Sequence, residues 1–245
     1  MTLRALARSG LLGFAVVLSM AGPAWSAATL VTYCGQSIRG RGVLLGNLDC
    51  TGFIGHAVII ERGKLELKGF TIRGAAFYGV HCEAACQING PGTITENGLD
   101  GVHAEHWAIV RDARVTNNGL SGVIARNING GSRLVIKNAT ISGNGFNGIE
   151  ADNLAVVRNS NIFANAQNGV DVGVQHCDTG GRTILVRSTV ATNGTSCVGS
   201  ITCADVSACG RNNAKPRLRN ESACGTSYVR GSGFPGSTWG VCSQD

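Results

Sequence analysis

Charge is scarce in this sequence, and so are aromatic rings and proline. Only 15% of residues are Asp, Glu, Lys or Arg, and 5% are Phe, Trp or Tyr, whereas 43% are hydrophobic. Chains that stay unfolded combine high charge with low hydrophobicity, so disorder is excluded for most of the length. One long apolar run exists, Leu11 to Met20, and no second follows it, which excludes a multi-pass membrane protein. No dense Lys/Arg run carries interleaved aromatics, which argues against a nucleic-acid partner. Proline occurs 4 times, and the 36 glycines follow no three-residue period, which excludes collagen. Nothing in 97–200 has helical periodicity. What is abundant is glycine, at about twice its usual share, and cysteine, whose 10 copies point to an oxidising compartment.

The first residues read as a secretory signal. Arg4 and Arg8 form a positive leader, Leu11 to Met20 an apolar stretch, and Ala24-Trp25-Ser26 the small-residue pattern of a cleavage site. Cleavage after Ser26 and a location outside the cell or in a periplasm are expected. Removing 1–26 takes away two arginines and no acid, so the formal charge falls from +6 to +4. That mild positive balance suits an anionic partner.

A motif recurs through the middle of the chain. Asn97-Gly98-Leu99-Asp100-Gly101-Val102 returns as Asn118-Gly119-Leu120-Ser121-Gly122-Val123 and as Asn144-Gly145-Phe146-Asn147-Gly148-Ile149. Looser copies are Asn165-Ala166-Gln167-Asn168-Gly169-Val170 and Asn193-Gly194-Thr195-Ser196-Cys197-Val198, and Gly79-Val80 keeps only the ending. Three residues before each Asn stands a β-branched residue: Ile94, Val115, Ile141, Ile162 and Val190. Each period therefore holds three short strands joined by bends rich in Gly and Asn, the residues that tolerate positive φ. Three strands per period make one coil of a parallel β-helix, stacked at roughly 4.8 Å. The recurring Asn97, Asn118, Asn144, Asn165 and Asn193 should form an internal ladder, each amide donating to one neighbouring coil and accepting from the other.

On these copies the chain resembles the PbH1-repeat branch of the pectin-lyase-like superfamily. The resemblance implies a right-handed parallel β-helix and, since the family contains lyases, hydrolases and epimerases, a protein that acts on or binds polysaccharide. The confident match covers 58–198, with weaker coils reaching back through Val43-Leu44-Leu45. The expected organisation is a signal at 1–26, an N-terminal cap at 27–42, about seven coils over 43–200, and an irregular, disulfide-held cap over 201–245. The family's Asn-Thr-Asp, Asp-Asp, Gly-His-Gly and Asp-Pro-His-Asp catalytic segments are absent. No residue role is therefore carried over beyond the fold motif.

Cysteine parity suggests Cys34–Cys50, Cys82–Cys86 and Cys224–Cys242 bridges, with the partners of Cys177, Cys197, Cys203 and Cys209 left open. Cys82, Cys86 and His81 form half of a zinc pattern, but no second ligand pair matches it, so neither a metal nor another cofactor is expected. A monomer without membrane attachment is expected.

The strand after each Gly-Val/Ile should alternate its side chains in and out. One outward column reads His81, His103, Ile124, Glu150, Asp171, and the next reads Glu83, Glu105, Arg126, Asp152. Glu150 and Asp171, as solvent-facing carboxylates on adjacent coils, are the expected acid/base pair, assisted by His103. Arg126, Glu105, Asp152 and His81 are the expected substrate-binding groups. Three functions fit such a face: an enzyme of lyase, hydrolase or epimerase type, a carbohydrate-binding module, and a structural or adhesive coil. A solvated salt ladder through Glu105, Arg126 and Asp152 would serve the last two.

Overall fold

The repeat in the sequence is a repeat in space. The computed structural model describes residues 27–127, 131–172, 182–191 and 193, together with strands Val206–Ala208, Arg217–Arg219 and Val229–Arg230. Among the described residues every regular element is a β-strand, and the strands pair in parallel. Each coil contributes one strand to each of three faces. The first face is built from Val80–Cys82, Val102–Ala104, Val123–Ala125, Ile149–Ala151 and Val170–Val172. The second carries Cys86–Asn89, Trp107–Arg111, Arg133–Lys137, Leu154–Arg158 and Arg182–Val186. The third is a separate 7-stranded sheet, running from Leu48–Asp49 to Thr189–Ala191, and so counts seven coils.

The first two faces are one 16-stranded sheet because a single strand turns the corner between them. Val58–Glu66 pairs through its start with Val80–Cys82 and through its end with Cys86–Asn89. Gln36–Leu44 makes the same turn one coil earlier, with a register shift between Ile38 and Arg39. The coils therefore begin at Gln36, ahead of the boundary at 43 expected from sequence. Thr29–Val31 pairs with Gly42–Leu44 and covers the open edge of that coil. Three strands beyond residue 200, where irregular structure was expected, continue the parallel stacking: Val206–Ala208 on Val170–Val172, Arg217–Arg219 on Ile184–Val186, and Val229–Arg230 on Ser207 and Ala208. The proposed signal at 1–26 and the proposed Cys224–Cys242 bridge lie outside the described residues.

Alternation decides the core. Val80, Val102, Val123, Ile149 and Val170 point inward at 0% exposure, as do Ile94, Val115, Ile141 and Ile162 from the third face. Each such aliphatic contributes roughly 1.5–3 kcal/mol through burial. Two disulfides join as the parity suggested, Cys34–Cys50 and Cys82–Cys86. The second spans the corner between the first and second faces.

The Asn ladder is present. Asn97 Nδ2 donates to Asn118 Oδ1 at 2.9 Å, Asn118 to Asn144 at 3.0 Å, Asn144 to Asn165 at 2.9 Å, and Asn165 to Asn193 at 2.8 Å. The same oxygens accept the backbone N–H of the preceding Asn at 3.1–3.2 Å. Both Gly positions of the motif follow from this stacking. A Cβ on Gly119 would lie 2.1 Å from the Gly98 carbonyl oxygen of the coil below, and one on Gly122 would lie 2.7 Å from the ladder amide of Asn144. In one respect the bends differ from expectation. Positive φ falls not on the ladder Asn but on its predecessor: Glu96, Asn117, Gly143 and Ala164. The ladder Asn can then keep its amide turned inward.

Candidate functional site

Three columns converge along the first face. Two are the outward strand positions expected from sequence, and the third is the residue just before each Gly-Val, Gly-Ile or Ala-Val step. That column reads His56, Tyr78, Asp100, Ser121, Asn147 and Asn168. It was not singled out in the sequence, although the motif fixes its spacing. It turns beneath the strands, and Asp100, Ser121 and Asn147 are buried at 4%, 1% and 1% exposure.

At the N-terminal end the columns bring four rings together. Tyr78 stacks on His56 at 4.8 Å and on His103 at 4.2 Å, with interplanar angles of 13° and 11°. His81 tilts against His56 at 4.6 Å and stands edge-on to His103 at 5.8 Å. The edge-on contact follows from register: His81 and His103 are directly paired positions of adjacent coils. Carboxylates aim the imidazoles. His103 Nδ1 lies 2.9 Å from Asp100 Oδ2, and its Nε2 is 3.7 Å from Glu105 Oε1. His81 Nε2 lies 3.2 Å from the same Glu105 oxygen. Half-burial, with the charges of His81 and His103 beside it, lowers the pKa of His56 below its ordinary value. Burial raises that of the Tyr78 phenol, and Asp100 and Glu105 add to this. At neutral pH His56 is thus neutral and Tyr78 protonated.

The acids farther along the face differ from expectation. Glu150 does not face solvent: it is 1% exposed. Arg126 clamps it through Nε at 2.9 Å and through Nη2, while Asn147 Nδ2 and Ser121 Oγ approach its other oxygen at 3.3 and 3.4 Å. Charge drives the inversion, because a buried carboxylate needs a cation and donors, and this one has both. Glu150 and Asp171 do stand in register on adjacent coils. Asp171 Oδ2, however, accepts from Asn168 at 3.1 Å and Asn147 at 3.4 Å, so amides separate the two carboxylates. The expected Glu105, Arg126, Asp152 ladder does not form either. Arg126 turns to Glu150, and Asp152 is 1% exposed, with Oδ2 accepting the Asn127 N–H at 2.6 Å. Glu150 consequently fixes the Arg126 side chain through a buried ion pair. Among the described residues no three His, Cys, Asp or Glu side chains converge in a metal-binding arrangement.

Beside the polar columns runs an outer apolar ribbon from the motif's variable position, Phe77, Leu99, Leu120 and Phe146. Backbone hydrogen bonds of 3.0 Å stack its members from Phe77 to Phe146. Phe77 and Leu120 are each 42% exposed.

No family model and no curated protein matches this chain. Among solved structures it is similar to the Azotobacter vinelandii mannuronan C-5 epimerase AlgE6 A-module, with a TM-score of 0.48 and 14% sequence identity. The alignment covers 81% of this chain and 64% of that one.

Proposed function

We propose that the first face acts on an acidic polysaccharide by proton transfer, as a lyase or an epimerase. The ring pile of His56, Tyr78 and His103 carries this reading. Its members are held by stacking, and His103 is oriented further by Asp100 and Glu105. Hydrolysis needs two accessible carboxylates across the scissile bond. Here Glu150 is buried under Arg126, and Asp171 is held by amides, which disfavours that route. Abstraction of the proton beside a uronate carboxylate needs instead a neutral base, an acid that keeps its proton, and a cation for the carboxylate. His56 and Tyr78 have the protonation states such a pair requires, and Arg126 is a fixed cation close enough to lower the Tyr78 pKa against the acids. In a lyase step an imidazole takes the C5 proton, the electrons form the C4–C5 double bond, and the C4–O bond breaks with the Tyr78 proton passing to the leaving oxygen. In an epimerase step the C4–O bond stays intact, and the Tyr78 proton is delivered to C5 on the face opposite the imidazole. The apolar ribbon would support the sugar rings of an extended chain.

The deciding experiment incubates the protein with polyuronates and reads unsaturated ends and C5 deuterium exchange. Tyr78→Phe should lower turnover by roughly 10²–10⁴-fold with the melting temperature unchanged. Full activity in Tyr78→Phe would remove the reading. A second reading, a non-catalytic binding face, is favoured by the exposure of Phe77 and Leu120 along the ribbon. It predicts binding without either product.

A further inference from the structure

The second face carries a pattern that the first-face chemistry does not use. Its outward positions align coil by coil. Ile109 pairs with Val135, and Arg111 with Lys137 and then Arg158. Trp107, one position outward on the other side, pairs with Arg133 and is 41% exposed. The result is a half-buried apolar stripe, edged on one side by a column of cations and on the other by an indole beside an arginine. Trp107, Ile109, Arg111, Gly131, Arg133 and Val135 line a cleft of about 480 Å³.

Two observations point to a ligand here. Arg111, Arg133, Lys137 and Arg158 gather on one face over three successive coils, and none of them makes an ion pair with any described residue. In addition, Arg111 Nε is buried in the cleft and has no hydrogen-bond partner. A buried donor left unpaired costs about 1–3 kcal/mol unless something else accepts from it.

We infer that the second face is a binding site for an anionic polysaccharide, separate from the first face. Cations on successive coils stand roughly 4.8 Å apart, so carboxylates spaced along an extended chain meet one cation after another. The apolar stripe and the Trp107 ring receive the C–H faces of the sugars, which an acidic peptide or a lipid headgroup does not offer in register. The inference shares only its ligand class with the reading of the first face.

The test uses the whole protein and four probes: polygalacturonate, alginate, polyglutamate and phosphatidylglycerol vesicles. Binding to at least one polyuronate is expected, weakening as salt rises. Trp107→Ala and the pair Arg111→Gln, Lys137→Gln should each weaken it by about tenfold or more. On unsubstituted protein, the bound polyuronate should shield Arg111 from an arginine-selective reagent. This readout does not depend on how the variants fold. Unshielded Arg111, or tighter binding to polyglutamate or to vesicles than to either polyuronate, overturns the inference. Turnover on the first face with Arg111 unshielded overturns it while leaving the proton-transfer reading intact. Shielding of Arg111 with no turnover supports this site and removes the other.

Discussion

At the residue scale the most informative positions are those where polarity is buried. Asn144 sits mid-ladder: its amide donates to Asn165 and to the Val115 carbonyl, and its oxygen accepts from Asn118. Asn144→Ala strands these groups and should cost about 1–3 kcal/mol in a denaturant titration, whereas exposed Asn153→Ala should cost little. A solvent-facing Glu150 would gain from losing its charge, by relief of repulsion with Asp171. The buried pair with Arg126 reverses the sign: Glu150→Gln should destabilise by about 1–3 kcal/mol and release Arg126. Ala164 holds a φ of 53°, where a side chain is strained and where Gly143 stands one coil earlier. Ala164→Gly should raise stability by up to ~1 kcal/mol, read as a higher melting temperature. His56 enters the pH dependence in a definite direction. Its folded pKa is lowered, so the unfolded chain binds the extra proton. Stability is therefore fully present above the unfolded value near 6.5 and falls as the pH drops below it, and His56→Gln should flatten that limb.

At the element scale the strand pair Gln36–Leu44 and Val58–Glu66 is the N-terminal end of the coil, and one carboxylate pins it. Glu66 receives Arg41 at 2.9 Å through both Nε and Nη2, with Lys64 and Lys68 at 3.3 Å. The Arg41 bonds above all hold its pKa at about 2, below the ordinary 4.5. A carboxylate whose folded pKa is lowered stabilises above its unfolded pKa and loses that contribution as the pH falls through the folded one. Wild type should therefore lose melting temperature between about pH 4.5 and 2 in a step that Glu66→Gln lacks. The Cys34–Cys50 bridge, with a separation of 16 residues, ties the same end. Because each coil touches only its neighbours, opening this end should expose amides to hydrogen exchange in coil order from Val31 inward.

For the molecule as a whole, the architecture was legible because one period of about 22 residues dictates everything that repeats: inward Val and Ile, the ladder Asn, and the two close-packed Gly positions. Both N-terminal disulfides were legible for a different reason, since four cysteines in the first part of the chain permit two bridges between sequence neighbours. The site was less so. His81 and His103 could be placed on one face by counting, but strand alternation says only that a side chain leaves the core, not that solvent meets it. Glu150 and Asp152 leave the core and are nonetheless covered, because bend residues such as Ser121, Asn147 and Ser132 rise beside them. Tyr78 and His56 escaped notice because they stand in bends, where periodicity is a weaker guide than in strands, although the Gly-Val and Ala-Val steps that follow them mark the column.

The Asn column has a further consequence, one that concerns ancestry. Every rung presents the same two groups upward and the same two downward, so a rung cannot tell which neighbour it has been given. Copying residues 97–117 in tandem would insert one more coil whose amide meets Asn118 as Asn97 does now, with neither flank obliged to repack. Lengthening by unequal exchange between repeats is therefore nearly silent for folding. It is far from silent for whatever lies along the faces, because each added coil moves the ring pile and the arginine of the next coils apart by one strand spacing. Heredity can thus change the span between the groups of this surface in whole coils while the interior stays as it was.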